Sequence, residues 1–383
     1  MKKLHTLSLA LGIFLSVFIL TCTHDNGPAA SELILPRVVS EDETFRVVRV
    51  LEGLEHPWSF TFLPDGRILV TERPGRLALV ENGRIRRLSG LSDIVATGQG
   101  GLLDVVLHPE YEQNGWIYFS YSGGSRTELS TRVARARVSG SRLIDVQIIF
   151  TMQPASAGGR HFGSRLAFMD DGTVLITLGE RGEQNRAQDL KDHAGSTIRL
   201  HDDGSVPEDN PFVGRMDAVP EIYTYGNRNA QGMAVQPGTG LVWQHEHGPR
   251  GGDEINIIEP GKNYGWPVIT YGREYSGGSI GIGTEAPGME QPILHWTPSI
   301  APSGMTFYSG SLFPAWRGNL FVGALVGRHL RRLVVEGTRV VHQEILLQDS
   351  LGRIRDVREG PDGALWLITD SRNGGLYRIE PVQ

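Results

Sequence analysis

The sequence predicts an all-β protein built as a six-bladed β-propeller, and three observations carry that expectation. From residue 45 onward, no segment sustains apolar spacing of three and four over three helical turns. Short runs rich in Val, Ile, Leu, Tyr and Trp alternate with turn residues instead. The chain of 383 residues holds 49 Gly and 21 Pro, a Gly share well above the usual ~7 %. Finally, one unit recurs six times: a turn of Pro, Asp, Asn or Gly, followed by an apolar strand.

The first unit is Leu63-Pro64-Asp65-Gly66 ahead of Ile68-Leu69-Val70-Thr71, and the second is Asn114-Gly115 ahead of Trp116-Ile117-Tyr118-Phe119. Asp170-Asp171-Gly172 precedes Val174-Leu175-Ile176-Thr177, and Gly240 precedes Leu241-Val242-Trp243. Gly318-Asn319 leads into Leu320-Phe321-Val322, and Pro361-Asp362-Gly363 leads into Leu365 through Thr369. The turn glycines lie 49, 57, 68, 78 and 45 residues apart. Blade repeats run about 40–50 residues, so the longer intervals carry insertions. These are Glu180 to Pro211 and Tyr264 to Pro302, both rich in Gly, Asn, Asp and Pro. Long loops on a rigid scaffold often carry function, and both are expected to wall one face. Two β-sandwiches are the alternative, but no linker composition interrupts the chain near its middle. A propeller also protects its strand edges by radial repetition.

The domain so predicted spans 45–383. Ahead of it, Lys2 and Lys3 precede an apolar run from Leu7 to Leu20, the pattern of an export signal over residues 1–22. The single cysteine, Cys22, follows Ile19-Leu20-Thr21 and resembles a lipobox cysteine, although Thr21 is larger than the usual small residue. The other reading is a plain signal peptide cut near Ala29-Ala30. Residues 23–44 are expected to form a flexible linker. The protein is then expected outside the cytoplasm, periplasmic or extracytoplasmic, with membrane contact only through a lipid on Cys22. One cysteine leaves no internal disulfide and no Cys-based zinc site. A net charge of −6 with no Lys/Arg stripe argues against a nucleic-acid partner.

Four segments could carry chemistry. Gly158-Gly159-Arg160-His161-Phe162-Gly163-Ser164 sets one histidine among small residues, and histidine suits proton transfer near neutral pH. Gly226-Asn227-Arg228-Asn229-Ala230-Gln231-Gly232 offers a fixed cation and amide donors beside glycines, suited to polarising a carbonyl oxygen or holding an anion. His245-Glu246-His247-Gly248-Pro249-Arg250-Gly251-Gly252-Asp253-Glu254 puts two histidines on one strand face, as in a zinc pair. Its carbonyl and carboxylate oxygens favour a hard cation such as Ca²⁺. Arg353 and Arg355 alternate in strand register and suit a polycarboxylate; ion pairing with Asp356 or Glu359 is the plainer use. A surface loop or a charged turn is likewise the plain reading of the other segments.

Together these segments resemble the soluble pyrroloquinoline quinone (PQQ)-dependent sugar dehydrogenases, especially the bacterial aldose sugar dehydrogenase branch. The resemblance runs from about Leu54 to Ile379. It is most specific at Gly98-Gln99-Gly100-Gly101-Leu102-Leu103, Gly163 to Leu166, Gly226 to Gly232, Gly248 to Asn256 and Asn263 to Pro267. It implies a six-bladed propeller that oxidises aldoses at C1 to the lactone and hands electrons to a quinone or cytochrome acceptor. By the same resemblance His161 is the general base, and Arg228 and Asn229 contact the quinone carbonyls. Gln99, Trp296, Ser299 (in place of a threonine), Arg353 and Arg355 are further cofactor contacts. Gly248 and Pro249 offer carbonyl oxygens to a Ca²⁺ shared with PQQ, and Glu254 and Tyr264 match a second, structural Ca²⁺ site.

Three positions depart from the pattern. Val326 stands where soluble glucose dehydrogenases have a cofactor-binding lysine, a charge that nearby Arg328 could supply. Arg160 replaces an acidic residue that contacts glucose, and Asn185 falls near a position that holds glutamine; both concern substrate binding. Two other functions compete: a Ca²⁺-dependent lactonase, which needs a carboxylate-ringed metal, and a non-catalytic propeller that displays loops to a partner.

Overall fold

The computed structural model describes residues 31–382, so the leader-like segment and Cys22 lie outside the described residues. Six antiparallel sheets account for the strands, as predicted. Blade 1 holds Pro57–Phe62, Ile68–Glu72, Arg76–Glu81 and Arg84–Leu88. Blade 2 holds Leu102–Leu107, Trp116–Gly124, Leu129–Ser139 and Arg142–Thr151. Blade 3 holds Leu166–Phe168, Val174–Thr177, Ser196–Leu200 and Ile222–Tyr225. Blade 4 holds Ala230–Val235, Val242–Glu246, Asp253–Ile258 and Leu294–Trp296. Blade 5 holds Pro302–Phe307, Leu320–Ala324, Leu330–Glu336 and Arg339–Leu346. Each recurring turn therefore sits between the first and second strands of a blade.

Blade 6 joins both ends of the chain. Ile354–Glu359, Leu365–Thr369 and Gly374–Pro381 pair onward to Thr44–Leu54 and then Glu32–Val39, giving five strands. This corrects the expected linker for its described part, residues 31–44, while residues 23–30 lie outside the described residues. Residues 32–39, Glu-Leu-Ile-Leu-Pro-Arg-Val-Val, add an edge strand rich in aliphatic side chains, with Leu33 opposite Val48 and Val38 opposite Phe45. Pairing of chain ends in one sheet closes the ring.

Apolar clusters fill the seams between neighbouring blades. Phe45, Trp316, Phe321 and Leu367 pack between blades 5 and 6, and Tyr118, Leu166, Ile176 and Phe150 between blades 2 and 3. The central channel is polar and plugged by a charge network. Asp104 accepts from Ser59 at 2.6 Å and pairs with Arg165 at 3.2 Å and Arg358 at 2.9 Å. Asp356 pairs with the same two arginines. Two buried aspartates thus balance two arginines, and four blades are tied together beneath the site.

The insertions differ from expectation. Glu180 to Pro211 is interrupted by the buried third strand of blade 3, Ser196–Leu200. Antiparallel order then puts residues 180–195 on the face that holds His161 and residues 201–211 on the opposite face. The 264–302 insertion is tied back to the His161 face by an antiparallel bridge between Arg250 and Arg273.

Candidate active site

The segments singled out in the sequence converge on one face, in the loops that enter first strands and leave second strands. His161 precedes the first strand of blade 3 and is 8 % exposed. Its backbone has φ 49°, a left-handed conformation that costs free energy outside glycine. The surroundings enforce it. His161 N–H donates to Gln99 Oε1 at 2.8 Å, and a Cβ at Gly179 would collide with the His161 carbonyl. Arg181 clamps the same loop by donating to the Gly158 carbonyl at 2.7 Å and to the Arg160 carbonyl, with its guanidinium over the Phe162 ring at 3.5 Å.

Glu180, which sequence reasoning missed, orients the imidazole. Its buried carboxylate Oε2 lies 2.6 Å from His161 Nδ1 and also accepts from Gly182 N–H. An ionised carboxylate only accepts, so Nδ1 carries the proton and Nε2 keeps its lone pair. Burial lowers the His161 pKa, Glu180 pulls it back up, and the Arg228 and Arg181 charges lower it further; the net shift is downward. His161 is therefore uncharged at neutral pH.

Arg228 follows the last strand of blade 3, and its Nη1 donates to the carbonyls of His247 at 3.1 Å and Gly248 at 2.9 Å. Its guanidinium lies 5.4 Å from the Trp266 ring centre. Asn229 accepts from Gly163 N–H at 3.0 Å through Oδ1, leaving its amide nitrogen without a hydrogen-bond partner among the described residues. His161, Arg228, Gln99, Gly248, Pro249, Ser299 and Val326 line one open cavity of about 770 Å³. Gln99 and His247 also line a deeper cleft of about 260 Å³, shared with Asn229, Arg353 and Arg355. Both arginines reach one Asp370 oxygen, Arg355 at 2.8 Å and Arg353 at 3.4 Å. Burial would raise the Asp370 carboxyl, but the Arg355 charge, with His56 and Arg353, outweighs it and holds it well below the usual range. Pairing thus goes to Asp370, not to Asp356 or Glu359. The buried Nε of Arg355 has no hydrogen-bond partner among the described residues.

Several expected site residues lie elsewhere. Trp296 lies in the seam between blades 4 and 5, and its indole donates to Gln343 at 2.9 Å; it lines neither cavity. Asn185 is exposed on the short turn Gln184–Gln188 and lines neither cavity. Arg160 adjoins His161, yet its exposed side chain also lies outside both linings. Arg328, expected as a substitute for the lysine at the position of Val326, pairs with Asp349 at 3.3 Å and lines neither cavity. Nor do His245 and His247 form a zinc pair. Their Nε2 atoms are taken by the Ser303 and Pro302 carbonyls, the latter at 2.5 Å.

Ser299 donates to Asp253 Oδ2 at 2.8 Å, and Asp253 Oδ1 accepts from Gly248 N–H at 2.9 Å, which fixes the Gly248-Pro249 turn. Below it, Glu254 and Tyr264 line a small void with Glu246. Glu246 and Glu254 are cross-strand partners. Burial raises both carboxyls, Glu246 to about 7 against the pull of Asn227 and Arg228, and Glu254 well above its ordinary range with the Glu246 charge adding to burial. The Tyr264 hydroxyl is committed to the Ile257 carbonyl at 2.9 Å, so only its backbone could face a cation.

Comparison with known proteins identifies the family of this fold. Residues 54–378 match the glucose/sorbosone dehydrogenase family. The chain belongs to that family. Among curated relatives, it is 44 % identical to the aldose sugar dehydrogenase YliI of Escherichia coli (strain K12), over 88 % of this chain and 93 % of that protein. The crystal structure of the soluble aldose sugar dehydrogenase of Escherichia coli in its apo form superposes with a TM-score of 0.86 at 43 % identity, covering 88 % of this chain and 99 % of that one. The PQQ-bound aldose sugar dehydrogenase of Streptomyces coelicolor gives 0.72 at 27 % identity, covering 92 % and 98 %. The six-bladed fold is thus that of a sugar dehydrogenase family.

Proposed function

We propose that the protein is a PQQ- and Ca²⁺-dependent dehydrogenase that oxidises aldoses at C1 to the lactone. The observation that carries this reading is the His161–Glu180 pair, with His161 lining a cavity also lined by Arg228 and the Gly248-Pro249 turn.

The residues present fit the cofactor. Arg353 and Arg355 suit carboxylates, the unpartnered Nε of Arg355 marks an unmet donor, and Gln99 and Asn229 add amide groups. PQQ, when bound, supplies the two-electron acceptor for the hydride leaving C1. The protein's part is to receive the anomeric hydroxyl proton at His161 Nε2, while Glu180 stabilises the imidazolium that results. Arg228 fixes a positive charge opposite the base, where negative charge would develop. Gly248 and Pro249 offer two carbonyl oxygens to Ca²⁺, and the six to eight ligands that this ion prefers would be completed by cofactor oxygens and water. Glu254, with Glu246 and the Tyr264 backbone, would hold the structural Ca²⁺.

The competing functions fare worse. No Asp or Glu lines the open cavity, so the carboxylate ring of a lactonase is missing there. A display module has no use for a strained, buried histidine bonded to a buried glutamate. We further place the protein outside the cytoplasm on the leader-like segment 1–22, delivering electrons to a quinone or cytochrome, with mass spectrometry of the mature N-terminus deciding whether Cys22 is lipidated. The reading as a whole is tested with His161→Ala: PQQ binding by calorimetric titration should survive while sugar-dependent reduction of an artificial acceptor disappears. An active variant would refute the assignment of the base.

A further inference from the structure

We propose that the preferred substrates are aldoses bearing a carboxylate remote from C1, that is, uronic acids, selected by Arg250 and Arg273. The inference rests on the dehydrogenase reading above and names the substrate class of that same site.

Arg250 and Arg273 both line the open cavity that contains His161. They are directly opposite each other in an antiparallel bridge, with Arg250 N–H donating to the Arg273 carbonyl at 3.1 Å. Like charges facing one another across such a bridge repel, and neither guanidinium has an ion pair or side-chain hydrogen bond among the described residues. Arg228 is a third cation in the same lining, which contains no carboxylate. The neighbouring Glu274 turns its carboxylate to the Gln184 amide at 3.2 Å. The whole chain carries −6, so this mouth is a local exception to an acidic protein, and a concave site of one sign concentrates the opposite ion.

A platform for a sugar ring stands beside the two cations. Tyr275, also in the lining, is 69 % exposed. A tight turn presents it, with Gly277 N–H donating to the Glu274 carbonyl at 2.8 Å and Glu274 N–H to the Gly278 carbonyl at 2.9 Å. The segment before it is anchored by stacking of Tyr271 on His295, 3.9 Å between ring centres. An aromatic face accepts the apolar face of a pyranose, and paired guanidiniums accept a carboxylate with directional hydrogen bonds.

The test measures kcat/KM of the holoenzyme, loaded with PQQ and Ca²⁺, for D-glucuronate against D-glucose and for D-galacturonate against D-galactose. Each uronate is expected to exceed its parent sugar by about tenfold at low ionic strength, mainly through KM, with the ratio shrinking as salt rises. Arg250→Gln and Arg273→Gln should each reduce the ratio, and the double variant should bring it to about one. Equal or lower kcat/KM for the uronates, or Gln variants that depress both sugars alike, would overturn the proposal. A change confined to the PQQ activation constant would overturn it too, by assigning these arginines to the cofactor. A second arm titrates D-glucuronate and D-glucose into protein without cofactor. If neither sugar is oxidised, the dehydrogenase reading fails. This arm still decides the present one, by glucuronate binding more tightly than glucose and losing that advantage in the variants, or by failing to do so.

Discussion

Glu180 Oε2 stands 2.6 Å from His161 Nδ1 at the base of the open cavity, with both side chains buried. The pair gives a loop histidine a defined tautomer, which the proposed role of His161 as base requires. It also explains why the loop tolerates a left-handed backbone at His161, since the strain is met by hydrogen bonds at N–H and Nδ1.

Replacing Glu180 separates positioning from proton transfer. Glu180→Gln should lower kcat by part of the ~10²–10⁴-fold that a general base contributes, with the Michaelis constant changing little. Steady-state kinetics of the loaded enzyme checks this; an unchanged kcat would remove Glu180 from the account.

The pH profile follows from the sign of the His161 shift. Its folded pKa lies below 6.5, mainly through burial. Above that value the imidazole is neutral and active, and below it the base is protonated. Activity should therefore be full at neutral pH and fall on acidification through an apparent pKa below 6.5. Because Glu180 raises the His161 pKa, Glu180→Gln should move this acid limb to still lower pH. A limb that moves upward would contradict the assignment.

Beneath the site, Asp104 joins Ser59, Arg165 and Arg358. Asp104→Ala leaves the buried Arg165 and the half-buried Arg358 undercompensated and should cost about 3–5 kcal/mol. Urea unfolding gives the value, and a loss under 1 kcal/mol would show the plug to be dispensable.

Calcium removal should act on stability as well as activity. With Glu246 and Glu254 buried opposite one another and both carboxyls raised by burial, a bound cation would take the place of a proton and hold them ionised. A site saturated at a hundred times its dissociation constant would stabilise by ~2.7 kcal/mol. A chelator should lower Tm, and Glu254→Gln should abolish that response. A Tm indifferent to chelator in the unsubstituted protein would empty this site of its assigned role.

The fold was legible because blades repeat their hardest local demand, a tight turn between first and second strands, six times in the sequence. The loops bearing His161, Arg228 and Gly248 were legible because glycines cluster where the backbone packs closely. Glu180, Arg181, Asp370 and Glu246 were not, since their importance comes from contacts between segments that no local pattern encodes. Trp296 sits only a few residues from Ser299, yet strand pairing with Asp253 turns it into the blade seam. Residues 32–39 read as linker because their partner strand, Thr44–Leu54, is already paired to the far end of the chain.

The most direct measurement is reduction of an artificial acceptor by apoprotein with aldoses, with PQQ and Ca²⁺ added singly and together. The account predicts oxidation only when both are present, with the lactone as product. Turnover without PQQ, or none with both additions despite a folded protein, would contradict it.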